Sequence, residues 1–145
     1  MQDFIRASLA DQGFATIAVG DPQGTWAYSV GFTDLGHPEV LISGLHQKHC
    51  HEFLWSIFRA IQGGKVYKHG EVDNDLGNLP CAFRLMQPEA AAEFGCQAFF
   101  WYEDQGKTPT FLQLVLPDSD GRLPWEAGYN AHQMRCQRHL WLDLH

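Results

Sequence analysis

Apolar and polar positions follow two different periods along this chain, and each period predicts one kind of element. In residues 46–62 the apolar side chains recur three and four positions apart, which predicts an amphipathic helix. Its apolar stripe comprises Cys50, Phe53, Leu54, Ile57, Phe58 and Ile61. Gly63 and Gly64 follow directly and end the helix, because glycine is favoured at helix C-termini.

Short runs of β-branched and aromatic residues between clusters of turn residues predict a sheet of about six strands. These runs are residues 14–19, 25–32, 39–45, 65–72, 79–86 and 110–116. Consecutive strands that are joined by short turns pair antiparallel. We therefore expect a mostly antiparallel, curled sheet.

Two shorter helices are predicted around these strands. Residues 3–12 place apolar side chains near helical spacing before Gly13, and residues 88–94 begin with a proline, which fits the first turn of a helix. Residues 99–102 are compatible with a helix or a strand. The predicted fold class is α+β, with one domain over residues 1–145 and a sheet covered by one long amphipathic helix plus short helices.

Composition and charge narrow the classes of partner. The formal net charge is -7 with ten basic residues, which argues against binding to a nucleic-acid backbone, because that needs a basic surface. No apolar run reaches the roughly 20 residues of a membrane helix, and residues 1–6 lack the pattern of a signal peptide. We expect an acidic cytoplasmic protein that does not bind membranes, and the sequence leaves its oligomeric state open.

The long helix begins with a run of metal-ligand residue types, His46, His49, Cys50 and His51. A structural zinc site needs four ligands, and the sequence offers no second pair with comparable spacing. A core cysteine with surface histidines is therefore favoured over a metal site. Cys50 is the best candidate for a cysteine nucleophile, since a helix N-terminus lowers the pKa of a thiol.

Two polar clusters lie next to predicted strands. Residues 118–121 read Asp-Ser-Asp-Gly, which is typical of a β-turn and lacks the ligand set of a calcium loop. A turn requires neither Arg122 nor Trp125, which follow at once. The turn before the third strand likewise does not require His37 or Glu39, a pair suited to acid–base chemistry or anion binding. A solvated turn is nevertheless favoured for that pair.

Three segments taken together resemble a known family. They are WAYSVGF at 26–32, GHPEV at 36–40, and QLVLPD at 113–118 with DGRLPW at 120–125. In order and spacing they resemble the bacterial domain-of-unknown-function family 4262, which shows an AYTVGL strand, a GHPEL turn, an amphipathic helix and a closing QLVWPDxDGRFPW segment. The chain departs at Ser29, Leu116 and Leu123, where that family has threonine, tryptophan and phenylalanine. The resemblance covers residues 13–129 and implies a small bacterial cytoplasmic protein, but no activity.

The prediction for function is a non-catalytic module that binds a small molecule or a protein partner of unknown identity. Its cleft would be formed by the strand of Tyr28, the turn at residues 37–39 and the loop at residues 118–125. The residues predicted to bind the ligand are Tyr28, His37, Glu39, Gln113, Asp118, Asp120, Arg122 and Trp125. Aromatic rings would offer apolar faces, while Arg122 would hold an anion or else pair with an aspartate of its own loop.

Two alternatives come from other classes of protein. A curled sheet with aromatic walls could hold a flavin or another planar cofactor and act as an enzyme, as flavin-reductase-like split barrels do, which is an analogy of fold. It predicts a coloured protein. The other alternative is a surface-acting interaction or immunity-type protein, which the negative charge fits. Its exposed apolar patch would include some of Trp26, Trp55, Trp101 and Trp141.

Overall fold

The computed structural model describes residues 1–144 and contains one six-stranded sheet with four α-helices. The strands are β1 (Ala15–Asp21), β2 (Gly24–Val30), β3 (Glu39–Ser43), β4 (Val72–Asp73), β5 (Cys81–Leu85) and β6 (Phe111–Val115). The helices are α1 (Gln2–Gln12), α2 (Gln47–Gln62), α3 (Pro88–Phe94) and α4 (Cys96–Glu103), and a 3-10 turn covers Phe32–Leu35. The predicted α+β class is confirmed.

The sheet is mixed, with strand order β1-β2-β3-β6-β5-β4. β6 enters between β3 and β5 and runs parallel to β3, while the other four pairings are antiparallel. Short turns dictate antiparallel pairs, but α2, α3 and α4 all lie between β3 and β6 in sequence. A connection of that length can return the chain in either direction, so the sequence pattern did not determine the sense of this pair.

One predicted strand, residues 65–72, is wrong over most of its length. The structure has a strand only at Val72–Asp73. The backbone N–H of Tyr67 donates to the His37 ring at 3.0 Å instead of to a neighbouring strand, and Gly70 adopts a left-handed φ of 91°. Residues 99–102, which the sequence left open, are helical and belong to α4.

α2 packs on one face of the sheet through the apolar stripe that the sequence predicted. Its buried residues are Cys50, Leu54, Ile57, Phe58 and Ile61. Complete burial of one leucine or isoleucine side chain contributes about 1.5–3 kcal/mol. The helix is capped by His46, whose Nδ1 accepts a hydrogen bond from the N–H of Lys48 at 3.1 Å.

The opposite face of the sheet is divided between two covers. α1, α3 and α4 cover the part around Tyr28 and Phe111. A C-terminal segment, residues 137–142, covers the part near β5 and β6, where Trp141 packs with Ala82 and Val115. Gly44, with a φ of 83°, lets this segment approach β3, because a Cβ there would lie 2.8 Å from a backbone atom of the segment. Within residues 1–144, no helix has both the length and the apolar character needed to cross a membrane.

Candidate functional site

The three segments predicted to form a cleft do not line a common one. Because β3 and β6 are parallel, the turn at residues 37–39 lies where these strands begin, and the loop at residues 118–125 lies where β6 has ended. Tyr28 lies on β2 with its side chain fully buried. The turn and the loop are therefore at opposite ends of the sheet.

Glu39 is fully buried and accepts hydrogen bonds from the backbone and side chains around the 3-10 turn. Oε1 accepts from Ser29 Oγ at 2.7 Å and from Phe32 N–H at 3.1 Å. Oε2 accepts from the N–H and hydroxyl of Thr33 at 2.9 and 2.6 Å, and from Gly31 N–H at 3.3 Å. Burial raises the pKa of Glu39, and these hydrogen bonds oppose the rise. Five donors use the acceptor capacity of the carboxylate within the fold.

His37 is 4% exposed and uses both ring nitrogens within the chain. Nε2 accepts from the N–H of Tyr67 at 3.0 Å, so the proton of the neutral ring lies on Nδ1, which donates to the carbonyl of Pro38 at 2.7 Å. Burial lowers the pKa of His37, and the Pro38 carbonyl opposes this change. The ring therefore holds the segment of Tyr67 against the turn.

Tyr28 and Gln113 are fully buried, and each attaches a different segment to the sheet. The hydroxyl of Tyr28 accepts from the N–H of Gln97 at 3.0 Å, in the first turn of α4, and burial raises the pKa of Tyr28. Gln113 donates to the carbonyl of Arg138 at 2.7 Å and accepts from the N–H of Leu140 at 3.2 Å. Gln113 thereby holds the C-terminal segment on the sheet.

Asp118 closes the loop that follows β6. Its Oδ1 accepts from the N–H groups of Asp120 and Arg122 at 3.0 and 2.9 Å, and its Oδ2 accepts from Asn130 at 2.8 Å. Burial raises the pKa of Asp118, but these backbone hydrogen bonds lower it by more, so the pKa lies below its usual value. Arg122 pairs with Asp120 at 3.2 Å, and both side chains are exposed. Arg122 therefore forms the ion pair within its loop.

Trp125 lines a groove of about 400 Å³ between its loop and the C-terminal part of the chain, and none of the other predicted residues lines this groove. We call this the aromatic groove; its walls include Trp125, Tyr129, Arg135, Gln137, His139 and Trp141. Trp125 meets Trp141 edge to face with ring centroids 6.1 Å apart, and His139 stacks on Trp141 at 3.9 Å. Trp125 is 42% exposed, so much of its ring is available to a ligand.

Arg84, to which no sequence motif pointed, lies under Trp125. Its guanidinium carbon is 3.7 Å from the centroid of the indole ring, and the residue is 6% exposed. Over residues 1–144, neither Arg84 Nε nor Trp141 Nε1 has a hydrogen-bond partner. Burial lowers the pKa of Arg84, and the charge of Asp143 opposes this change. An arginine inside the apolar run CAFRLM is the signal that could have identified it.

A second, larger groove of about 520 Å³ is lined by residues of α1, β1 and the start of α2. There Thr16 Oγ1 is 2.6 Å from His51 Nδ1, and the side chain of Gln12 donates to the carbonyl of Phe14 at 3.0 Å. These three side chains therefore already have hydrogen-bond partners within the chain. We place the candidate site in the aromatic groove instead, because two residues in contact with Trp125 each have a buried donor without a partner: Trp141, which lines the groove, and Arg84, which lies beneath the Trp125 ring.

The residues at the start of α2 do not come together as a metal site. In the described part of the chain, no group of three or more His, Cys, Asp or Glu side chains is placed to hold a metal ion. Cys50 is buried, and its Sγ donates to the carbonyl of Leu45 at 3.5 Å. Burial raises the pKa of Cys50 to about 11. The predicted lowering is therefore wrong, because loss of solvent outweighs the helix N-terminus.

A mixed six-stranded sheet with helices on both faces and a groove beside the loop after β6 defines a small α+β protein. The chain belongs to the family described as Domain of unknown function (DUF4262), whose model matches residues 8–130, and the resemblance seen in the sequence is confirmed. No match to the chain was found among curated proteins or among solved structures. Arg84 and Trp125 lie inside the matched range, whereas His139 and Trp141 follow it.

Proposed function

We propose that this chain is a non-catalytic module that binds a small molecule in the aromatic groove. The observation that carries the proposal is Trp125, a large ring that is 42% exposed at the edge of a concave surface. Exposed aromatic rings beside a groove supply large apolar contact area for a ligand. Of the residues predicted to bind the ligand, Trp125 contacts it in this proposal. The buried residues of that set stabilise the fold instead.

The size and walls of the groove fit a small planar molecule. Its volume of about 400 Å³ lies within the range of about 300–1,000 Å³ that is typical of small-molecule sites. Trp125 and Trp141 present rings at 78° to each other, and His139 adds a stacked face at 3.9 Å. Gln137 and Arg135 contribute polar edges.

The test follows the indole N–H signals of the five tryptophans by NMR while small aromatic molecules are titrated. We expect the signals of Trp125 and Trp141 to shift, because both rings line the groove. Those of Trp26, Trp55 and Trp101 serve as internal controls and should stay in place. Equal shifts at all of them, or no shift with any probe, would contradict the proposal. Trp125→Phe assigns the signal of Trp125.

A planar cofactor such as a flavin is the alternative occupant, and the stacked pair of His139 and Trp141 favours it. Native mass spectrometry of the purified protein, combined with a UV–visible spectrum, tests this alternative. A bound flavin would add its mass to the polypeptide and give a yellow protein. A colourless protein with the mass of the polypeptide alone would contradict the alternative. The native mass spectrum would also give the oligomeric state.

A further inference from the structure

We infer that the ligand of the aromatic groove carries a carboxylate or phosphate group, and that Arg84 binds this oxyanion. The inference rests on the proposed function and adds the chemistry of the ligand to it. It is carried by the position of Arg84 and by the state of its hydrogen-bonding groups.

Arg84 differs from Arg138, the other arginine in the structure with a shielded Nε that lacks a partner. Arg138 forms an ion pair with Asp21 and donates to Gln23 at 3.3 Å. No carboxylate among residues 1–144 lies within 4.0 Å of a side-chain nitrogen of Arg84. Charged side chains are rarely buried without a partner, because burial of an uncompensated charge costs free energy. A partner from outside the chain would remove that cost.

The polar side chain that faces Arg84 across the sheet is bonded to another segment, and it forms no hydrogen bond with Arg84. Gln113 lies directly opposite Arg84 on β6, but its carbonyl oxygen accepts from Leu140 at 3.2 Å. Trp125 covers one face of the guanidinium at 3.7 Å, which is a cation–π contact. Such stacking occupies the face of the guanidinium and not its N–H edge, which is the part that donates two parallel hydrogen bonds to a carboxylate or phosphate.

A second buried donor belongs to another side chain that contacts Trp125. Trp141 is 5% exposed, its indole N–H has no acceptor within residues 1–144, and its ring contacts Trp125. Trp125 therefore contacts two side chains that each have a buried donor without an acceptor. Asp143 acts on the charge of Arg84, but its side chain is 72% exposed. It weakens the local positive charge without satisfying the buried nitrogen.

The test follows the Nε–H NMR signal of Arg84 while four probes are added separately: benzoate, phenyl phosphate, neutral benzamide and inorganic phosphate. We expect benzoate or phenyl phosphate to shift the signals of Arg84 Nε and Trp141 Nε1. Benzamide should bind about tenfold more weakly or worse, because it lacks the charge-assisted hydrogen bonds. The ratio of the affinities for benzoate and phenyl phosphate distinguishes a carboxylate from a phosphate ligand.

Two variants separate binding from folding. Arg84→Lys keeps the charge but loses the planar fork, so the affinity for the preferred anion should fall about tenfold or more. Arg84→Met removes an unpaired buried charge, so anion binding should be lost while the Tm stays unchanged or rises. Arg59→Gln, on the exposed side of α2, is the matched control and should keep full affinity.

The outcomes distinguish this inference from the proposed function. If benzamide binds as tightly as benzoate, the groove binds ligands but the role of Arg84 is wrong. If no aromatic probe binds, the proposed function is wrong, and a shift of Arg84 by inorganic phosphate would still support oxyanion binding. The inference is overturned if none of the three anions shifts the Arg84 signal. It is also overturned if Arg84→Met lowers the Tm and leaves the affinity intact.

Discussion

The turn of His37 and Glu39 and the surroundings of Trp125 both combine polar and aromatic residues, yet they differ in whether their polar atoms have hydrogen-bond partners within the chain. In the turn, both ring nitrogens and both carboxylate oxygens bond within the chain. Around Trp125, two buried donors have no acceptor within residues 1–144, and the ring itself is half exposed. Polar residues in a sequence motif therefore do not by themselves indicate a binding site; the proposed site is chosen instead by an exposed ring that contacts buried donors without partners.

The largest effect is expected from Glu39→Gln, which would test whether the turn is purely structural. The glutamine NH₂ would face N–H and hydroxyl donors where an oxygen now accepts, so the free energy of unfolding should fall by about 3 kcal/mol or more. Urea unfolding measures this loss. Glu89→Gln, on the exposed side of α3, is the control and should stay near wild type. If Glu39→Gln lowered the free energy of unfolding no more than the control does, the turn would not be a structural element, and its contrast with the surroundings of Trp125 would be wrong.

Asp118→Asn should have the next largest effect. Its amide would meet the N–H of Asn130 in place of an acceptor, so the Tm should fall by several degrees, while Asp120→Asn should change it little. Because the folded-state pKa of Asp118 is depressed, its stabilisation is present above its usual pKa of 3.8 and is lost as the pH falls through the lower, folded-state value. The gap between wild type and Asp118→Asn should therefore narrow in acid. A gap that widened there would contradict this account.

His37→Gln should sharpen the comparison through its dependence on pH. Burial lowers the folded-state pKa of His37 below its usual 6.5, so the unfolded chain takes up a proton first and stability declines as the pH falls below 6.5. One group contributes at most about 1.4 kcal/mol per pH unit. Unfolding curves at a series of pH values should show a flatter acid-side decline for the variant. Equal slopes for the two proteins would show that His37 does not titrate as described.

Trp125→Ala should have the smallest effect on stability. The half-exposed ring contributes its contacts with Arg84 and Trp141, each worth about 1 kcal/mol, so the Tm should fall by less than in the variants above. Binding of aromatic probes should nevertheless be lost, as the Trp141 indole signal would report. If the variant were as unstable as Glu39→Gln, the loop would be structural and the contrast between the two regions would disappear.

The sequence predicted helices and strands, which depend on local periodicity, better than it predicted which segments pair with each other. The stripe of α2 was readable because its residues recur at one spacing, and β1, β2 and β3 were readable from their turns. The parallel pairing of β6 was not, because it depends on contacts across three intervening helices. Residues 65–71 were read as a strand because Tyr67 has strand-forming character, while its partner, His37, is far away in sequence.

The candidate site was predicted only in part, for a related physical reason. Trp125 could be chosen because a turn does not require it. Arg84 became visible only when the register of β5 on β6 placed it opposite Gln113 and under Trp125. Whether a polar group is satisfied depends on its neighbours in space. The sequence therefore could not show that the polar atoms of His37 and Glu39 have hydrogen-bond partners within the chain, whereas Nε of Arg84 has none among residues 1–144.

The central position of β6 also governs when the sheet can assemble during synthesis. A nascent chain that has reached residue 110 contains β1-β2-β3 and β4-β5, two groups that share no strand in the finished order. β6 joins them, and it must pair with β3 across a long stretch of sequence, which costs loop entropy before any contact forms. During synthesis, we therefore expect these two groups of strands to stay unpaired with each other, with part of their apolar surface exposed, until β6 has been made and can pair with both.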